Sequence, residues 1–206
     1  MISLVLALVF MSATLIKQSM NFVTSFLGLF AVIGNWPNWE RYFDLSRKGL
    51  KLSFIILILA LPAYYIFISA IYQEGARLQN IERGAVPLPP FIIITSVFLL
   101  SFSAGAYLIT MVSDKQDRFR PWVITRHWAV FYLAWVVAAF FGLNVIGLLP
   151  FNLAYGIAFA AYMGLLAIDI RLLQKVVGFK IGAAILLGCL IIAVSLTLVQ
   201  LGLEQL

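Results

Sequence analysis

The chain has 206 residues, of which 64% are hydrophobic and 11% charged, and its formal net charge is +6. Soluble domains carry about 25% charged residues, so this composition excludes an ordinary soluble domain. The apolar residues form blocks near the ~20 residues that a helix needs to cross a bilayer. The alternating polarity typical of a membrane barrel is absent from the sequence. We therefore predict an all-α, polytopic membrane helical bundle.

The positive charge does not indicate nucleic-acid binding, because the cations flank the apolar blocks. Cations in that position set the topology and contact anionic lipid headgroups, which are the expected partners. Cys189 is the single cysteine and lies within an apolar run, which excludes an intrachain disulfide and a cysteine metal motif. We expect no cofactor and no metal site.

Residues 1–49 form a predicted N-terminal region that precedes the transmembrane domain. Apolar residues recur at helical spacing between Thr14 and Ile33, with a polar stripe between them, which predicts an amphipathic helix. It is expected to lie along the membrane interface or to pack across the end of the bundle. Two alternatives stay open before it: residues 1–16 form an extra short span, or Met11 is the true start. Asp44 or Ser46 is expected to cap the helix that follows.

Residues 50–206 are predicted to hold five transmembrane helices, at about 50–72, 91–112, 128–149, 153–173 and 179–203. Pro62 lies inside the first span and is expected to kink it. A charged loop, 113–127, is predicted between the second and third spans. The prolines of segment 87–90 are expected to prevent a helix before Phe91.

The distribution of cations predicts the topology. With a cytoplasmic N-terminus, 12 of the 14 Lys and Arg residues lie on the cytoplasmic side. They are Lys17, Arg41, Arg47, Lys48, Lys51, Lys115, Arg118, Arg120, Arg126, Arg171, Lys175 and Lys180. Only Arg77 and Arg83 lie on the other side, so the positive-inside rule supports this orientation. Five spans then place the C-terminus in the periplasm, and we predict the bacterial inner membrane.

Asp169 is the main candidate for a polar contact between helices, because it lies near the cytoplasmic end of the fourth span. Counted back from the turn at Pro150, it lies about one helical turn from Arg126 on the third span. We expect it to pair with Arg126 in preference to Lys180. The alternative is an acid at the headgroup level without a partner.

The sequence gives little support for a catalytic function. A proton relay usually needs several acids, and no other span contains one. His127 is the only histidine and lies at a predicted span boundary, where an interfacial role is commoner than catalysis. No nucleophile, base and acid can be assembled, so the chain is not expected to be an enzyme.

Small residues recur every four positions in the last two spans, which is typical of close helix packing. They are Gly156, Ala160 and Gly164, then Gly178 and Gly182, and then Ala184 and Gly188. Packing within the bundle is the simpler interpretation. A face for homo-oligomerisation or for a protein partner is the alternative.

Several sequence stretches resemble a known group of proteins. They are Phe43-Asp44-Leu45-Ser46-x-x-Gly49-x-x-x-Ser53-Phe54, Ala60-Leu61-Pro62-Ala63-Tyr64, the segment from Arg120 to Trp128, and Tyr155-Gly156 with the region of Arg171. The proteins that they resemble are uncharacterised alphaproteobacterial inner-membrane proteins that are similar to the Yip1-like superfamily. The resemblance implies five helices with a cytoplasmic N-terminus. The Asp-Leu-x-Gly-Pro element of eukaryotic relatives is absent, so the resemblance does not extend to GTPase binding.

These patterns favour a non-enzymatic integral membrane protein that organises a membrane or acts as an adaptor. The alternative is a small transporter or channel subunit. The two differ in one structural respect, since a transporter should line a polar cavity at mid-depth, often beside broken helices.

Overall fold

The computed structural model describes residues 22–82 and 84–203. Within these ranges the chain forms six α-helices and a short 3-10 helix, and contains no strand. The helices are α1 (Phe22–Ile33), the 3-10 helix (Trp39–Tyr42), α2 (Arg47–Leu78), α3 (Leu88–Val112), α4 (Gln116–Val145), α5 (Phe151–Lys175) and α6 (Ile181–Leu203). The alternatives for residues 1–16 and for Met11 fall outside the described residues.

Four helices, α2 to α5, are long and apolar enough to cross a membrane. The predicted fifth span corresponds to α6, whose described apolar stretch, Ile181–Ser195, is shorter than a full span. The described part is therefore a helical membrane bundle with four candidate spans, and the total of five stays a prediction.

Helix α4 lies at the centre of the bundle and contacts α1, α2, α3 and α5. All nine residues from Trp122 to Val130 are buried. A helix that is enclosed on every side must satisfy its polar groups within the protein, because neither lipid nor the packed core supplies water. Helix α6 contacts α3 and α5.

The predicted charged loop at 113–127 is wrong. Helix α4 already begins at Gln116 and continues through Pro121, so only Ser113–Lys115 remains as a turn. The prediction failed because a charged side chain inside a span is costly, so the charges of this segment indicated a loop. In the structure Asp117, Arg118 and Arg120 are exposed on the first turns of α4. Thr125 is buried and donates to the Pro121 carbonyl of the same helix, and Arg126 and His127 are bonded to neighbouring helices.

The other helix ends also differ from the predicted ones. Helix α2 extends to Leu78, so the loop before α3 is shorter than expected. Helix α3 begins at Leu88, and prolines lie in its first turn. The expectation that these prolines would prevent a helix before Phe91 is therefore wrong. Proline is tolerated there because the first N–H groups of a helix have no partner within it.

The start of α2 explains part of the motif that carries the family resemblance. Ser46 is the N-cap, and its Oγ accepts hydrogen bonds from the N–H groups of Lys48 (3.1 Å) and Gly49 (3.2 Å). Asp44 Oδ1 accepts from the Ser46 N–H at 3.0 Å, which positions the cap. A side chain at Gly49 would overlap the Asp44 backbone, so this position requires glycine.

Helix α1 differs from the predicted interfacial helix in the direction of its polar side. Ser25 and Gly28 face the bundle and are buried, and Ser25 Oγ hydrogen-bonds with Tyr132 Oη of α4 at 2.9 Å. The predicted residues 14–21 lie outside the described part. Leu29, Ala31 and Val32 are buried on the inner side with Ser25 and Gly28. Other large apolar side chains face outward, which is the arrangement expected where lipid instead of water surrounds a helix. They are Val23, Phe26, Leu27, Phe30 and Ile33.

Candidate functional site

A buried ion pair connects α4 with α5. Arg126 Nε donates to Asp169 Oδ1 at 2.8 Å, and the two side chains are 8% and 0% exposed. The ring of Phe102, from α3, lies 3.8 Å from the Arg126 guanidinium carbon. An arginine over an aromatic face gains a cation–π attraction that strengthens as water is removed. Three helices therefore contribute to the environment of this one cation.

The pair lies inside the bundle and not at its surface. Arg126 is ten residues from the start of α4 at Gln116, and Asp169 is six residues from the end of α5 at Lys175. At about 1.5 Å per residue, these positions are roughly 15 and 9 Å from the helix ends. The expectation of an acid at the headgroup level without a partner is therefore not met. Lys180, the second partner considered, is exposed before α6.

His127 connects two further helices next to the ion pair. Its Nδ1 lies 2.9 Å from Ser53 Oγ of α2, and its Nε2 lies 3.1 Å from Ser103 Oγ of α3. Ser53 Oγ donates its proton to the carbonyl of Leu50 at 2.8 Å, so it accepts from His127. These partners assign the tautomer with a proton on Nδ1, and Ser103 then donates to Nε2.

We call Ser53, Ser103, Arg126, His127 and Asp169 the polar core. It joins α2, α3, α4 and α5 at one level of the bundle. The His127 ring also meets the edge of Phe54, with ring centres 4.9 Å apart. The polar core is therefore enclosed by aromatic side chains, and its hydrogen bonds are made between protein groups.

Asp169 Oδ2 is buried and has no hydrogen-bond partner among the described residues. The same is true of Thr95 Oγ1, which lies in a different part of the bundle. Buried polar atoms usually form a hydrogen bond. Each of these two atoms could therefore still accept or donate a hydrogen bond to another molecule.

Four of the predicted small residues have little role in packing within the described chain, whereas Ala184 is fully buried in the core. A side chain added at Gly156, Gly164 or Gly182 would meet nothing within 4 Å, and Ala160 is exposed. Gly178 lies in the turn before α6 with a φ of +78°, which favours glycine. At Gly188 an added Cβ would lie 2.8 Å from Ile170 Cγ1, so only this glycine allows α5 and α6 to approach closely.

Pro62 lies inside α2, and the helix continues through it from Arg47 to Leu78. The predicted kink at Pro62 stays a prediction. Cys189 is exposed on α6.

A cavity of about 280 Å³ lies between α2, α3, α4 and α5, towards the end of the bundle opposite to the cation-rich helix ends. Its walls are almost wholly apolar, and Tyr64 and Leu165 form part of its inner end. Transporters for polar solutes need polar groups along such a space. This cavity does not have that character.

Sequence reasoning selected Arg126 and Asp169 but missed the partners of His127. Ser53 and Ser103 are isolated serines in apolar spans, where a hydroxyl commonly bonds to a carbonyl of its own helix. The pattern therefore contained no signal that they face a histidine. The cavity was also missed, because a void depends on how far apart the helices lie.

Comparison of the chain with protein-family models, with curated proteins and with solved structures finds no match. Within the ranges 22–82 and 84–203, no group of three or more His, Cys, Asp or Glu side chains could hold a metal ion.

Proposed function

We propose that the chain is a non-enzymatic integral membrane protein that organises the lipid around it, with its basic end bound to anionic headgroups. The observation that carries this proposal is the concentration of exposed cations at one end of the bundle. They are Arg41, Arg47, Lys48, Lys51, Arg118, Arg120, Lys175 and Lys180. Lys and Arg near a membrane surface each attract anionic lipid by about 1 kcal/mol.

Few of these cations are neutralised by the protein. Four exposed acids, Glu40, Asp44, Asp114 and Asp117, lie at the same end. Among the described residues, only Arg118 of this set forms an ion pair, with Asp117 at 2.9 Å. Most of the positive charge is therefore directed outward, where lipid phosphates would meet it.

The opposite end of the bundle has a different charge balance. There Arg77 donates to Glu74 at 2.7 Å, and Glu82 follows in the loop before α3. The positive-inside rule then supports a cytoplasmic basic end in a bacterial inner membrane. The resemblance to Yip1-like proteins supports the same orientation. A protein partner, or a second copy of the chain, is a further contact that we propose for the exposed face at Gly156 and Ala160.

Two observations favour this function over the others. Both nitrogens of His127 face serine hydroxyls in the interior, which is a structural arrangement and not that of a reacting base. The cavity is apolar, which argues against passage of an ion or polar solute. We therefore favour a membrane-organising or adaptor protein over a transporter or channel subunit.

The proposal can be tested by electron spin resonance in reconstituted vesicles with spin-labelled lipids. We expect labelled phosphatidylglycerol to associate with the protein several-fold more strongly than labelled phosphatidylcholine. This preference should fall as salt rises, because salt screens exposed charges. Changing Arg47, Lys48 and Lys51 together to Gln should reduce the preference.

Arg77→Gln at the opposite end is the matched control and should leave the preference unchanged. Equal association of the two lipids with the unchanged protein at low salt would contradict the proposed lipid-binding role.

A further inference from the structure

The cavity has the size of a small ligand site. A dry cavity of 150 Å³ can hold benzene, so about 280 Å³ has room for roughly 11 non-hydrogen atoms. Ligand sites in proteins begin near about 300 Å³. The space therefore fits a compact molecule of two fused rings or a chain of comparable volume.

The lining indicates the shape and charge of the occupant. Among the residues that the structure describes, no charged side chain lines the cavity, which favours a neutral occupant. Aromatic rings from three helices face it, including Tyr64 and Phe67 of α2, Phe98 of α3 and Tyr155 of α5. Aromatic walls favour flat rings, which can stack against them or meet their edges.

Thr95 adds a specific polar feature to this lining. Its side chain is 2% exposed, it lines the cavity, and its Oγ1 has no hydrogen-bond partner among the described residues. An unsatisfied hydroxyl in an apolar environment is costly, and a ligand oxygen beside it would remove that cost. The cavity thus favours a ligand with one hydrogen-bonding oxygen.

The route of entry is visible on α5. Tyr155 and Phe159 line the cavity and are also 53% and 60% exposed on the outside of the bundle. In a membrane that surface faces lipid, so a molecule dissolved in the bilayer can reach the cavity between helices without crossing water.

We propose that this cavity is a binding site for a neutral, membrane-soluble aromatic molecule of about two rings with one hydroxyl or carbonyl oxygen, which hydrogen-bonds to Thr95. The occupant enters laterally past Tyr155 and Phe159. This site is independent of the headgroup contacts at the basic end, so either proposal can fail without the other.

The test uses 1-naphthol and naphthalene, which differ only in the hydroxyl. Equilibrium dialysis of each probe compares nanodiscs that contain the full-length protein with empty nanodiscs, which corrects for partition into lipid. We expect saturable binding of 1-naphthol, about five- to tenfold tighter than that of naphthalene, as one hydrogen bond allows.

Two variants examine the site directly. Thr95→Val keeps the shape and removes the hydroxyl, so it should weaken 1-naphthol binding to the level of naphthalene and leave naphthalene unchanged. Thr197→Val is the control, since Thr197 is exposed and bonded to the Ala193 carbonyl. Ala158→Phe should fill the cavity and prevent binding of both probes, whereas Ala167→Phe, exposed on the same helix and outside the lining, should not.

Thermal unfolding in nanodiscs identifies any variant that does not fold. Because valine has nearly the shape of threonine, the Thr95→Val variant is sufficient to test the proposal even if Ala158→Phe does not fold. Absence of saturable 1-naphthol binding by the unchanged protein would overturn the proposal. So would equal 1-naphthol affinity in the unchanged protein and the Thr95→Val variant. Tighter binding of 1-decanol than of 1-naphthol would show instead that the cavity prefers an acyl chain.

Discussion

At the scale of single residues, the ion pair between Arg126 and Asp169 shows how a membrane bundle accommodates charge. Either group alone inside a span is costly. Together they neutralise each other, and Phe102 covers the guanidinium. The loss of one partner therefore matters more than the net strength of the pair, because it leaves the other charge buried alone.

We predict that Arg126→Gln and Asp169→Asn each lower the free energy of unfolding by on the order of 3 kcal/mol. The double change should cost less than the sum of the two, with a coupling of about 1 kcal/mol or more. Unfolding in detergent and in lipid measures these values. Lys180→Gln, at an exposed position, is the control and should be neutral. Additive single changes would show that the pair has no energetic coupling.

His127 allows a second prediction, because it is the only histidine in the chain. We expect the proton on Nδ1, since Ser53 already donates to Leu50 and can only accept from the ring. Nitrogen NMR of protein labelled at histidine distinguishes the two ring nitrogens. A proton on Nε2 in the unchanged protein would mean that the hydrogen bonds run in the opposite direction.

Ser103→Ala supplies the matched comparison for this assignment. It removes the partner of Nε2 and should shift that signal while Nδ1 stays protonated. Ser53→Ala removes the acceptor of the Nδ1 proton and should allow the other tautomer to appear.

At the scale of elements, the first residues of the helices show how far the local sequence pattern can predict where a helix begins. The beginning of α2 was predictable, because Ser46 is a common N-cap residue and its role requires only the next three positions. The beginning of α4 was not. Its first turns carry charges that are typical of a loop, and only contacts with other helices reveal that Arg126 and His127 are interior.

The start of α2 also yields a prediction. Gly49→Ala should lower the free energy of unfolding by about 2 kcal/mol or more, because the added carbon would overlap the Asp44 carbonyl and force the N-terminal turn apart. Gly156→Ala is the control: a Cβ there meets nothing within 4 Å, and alanine is the better helix former. Thermal unfolding of both variants in lipid makes the comparison, and equal stability of the two would contradict the predicted overlap.

At the scale of the whole molecule, composition alone was sufficient for the class, since apolar blocks in a membrane must become helices. Four candidate spans were each located within a few residues, except that α2 ends six residues later and α4 begins twelve residues earlier than expected. The arrangement around a central α4 was not predictable, because it depends on which faces pack together. The sequence did identify Arg126 and Asp169 of the polar core. It did not identify the two serines or the cavity, because these also depend on which helix faces pack together.

The topology gives a prediction at this scale. Reporter fusions in the loop after Asn80 should be active only for an external reporter, and fusions in the turn at Ser113–Lys115 only for an internal one. The unequal distribution of cations between the two ends of the bundle is the physical reason. A C-terminal fusion should report an external position if α6 completes a fifth span. An internal signal there would mean an even number of spans.

The position of the ion pair also has a consequence for how the chain enters the bilayer. Arg126 and Asp169 lie on consecutive helices, and the reversal between them is short: Gly147 adopts a φ of +77°, and Asn144 Nδ2 donates to the Leu149 carbonyl at 2.9 Å. Insertion of α4 alone would expose a guanidinium to hydrocarbon, at a cost of about 2.5–3.5 kcal/mol on the translocon scale. Insertion of α4 and α5 as one hairpin brings the carboxylate with it. Biogenesis of this protein is therefore expected to wait at the insertion machinery until α5 has been synthesised.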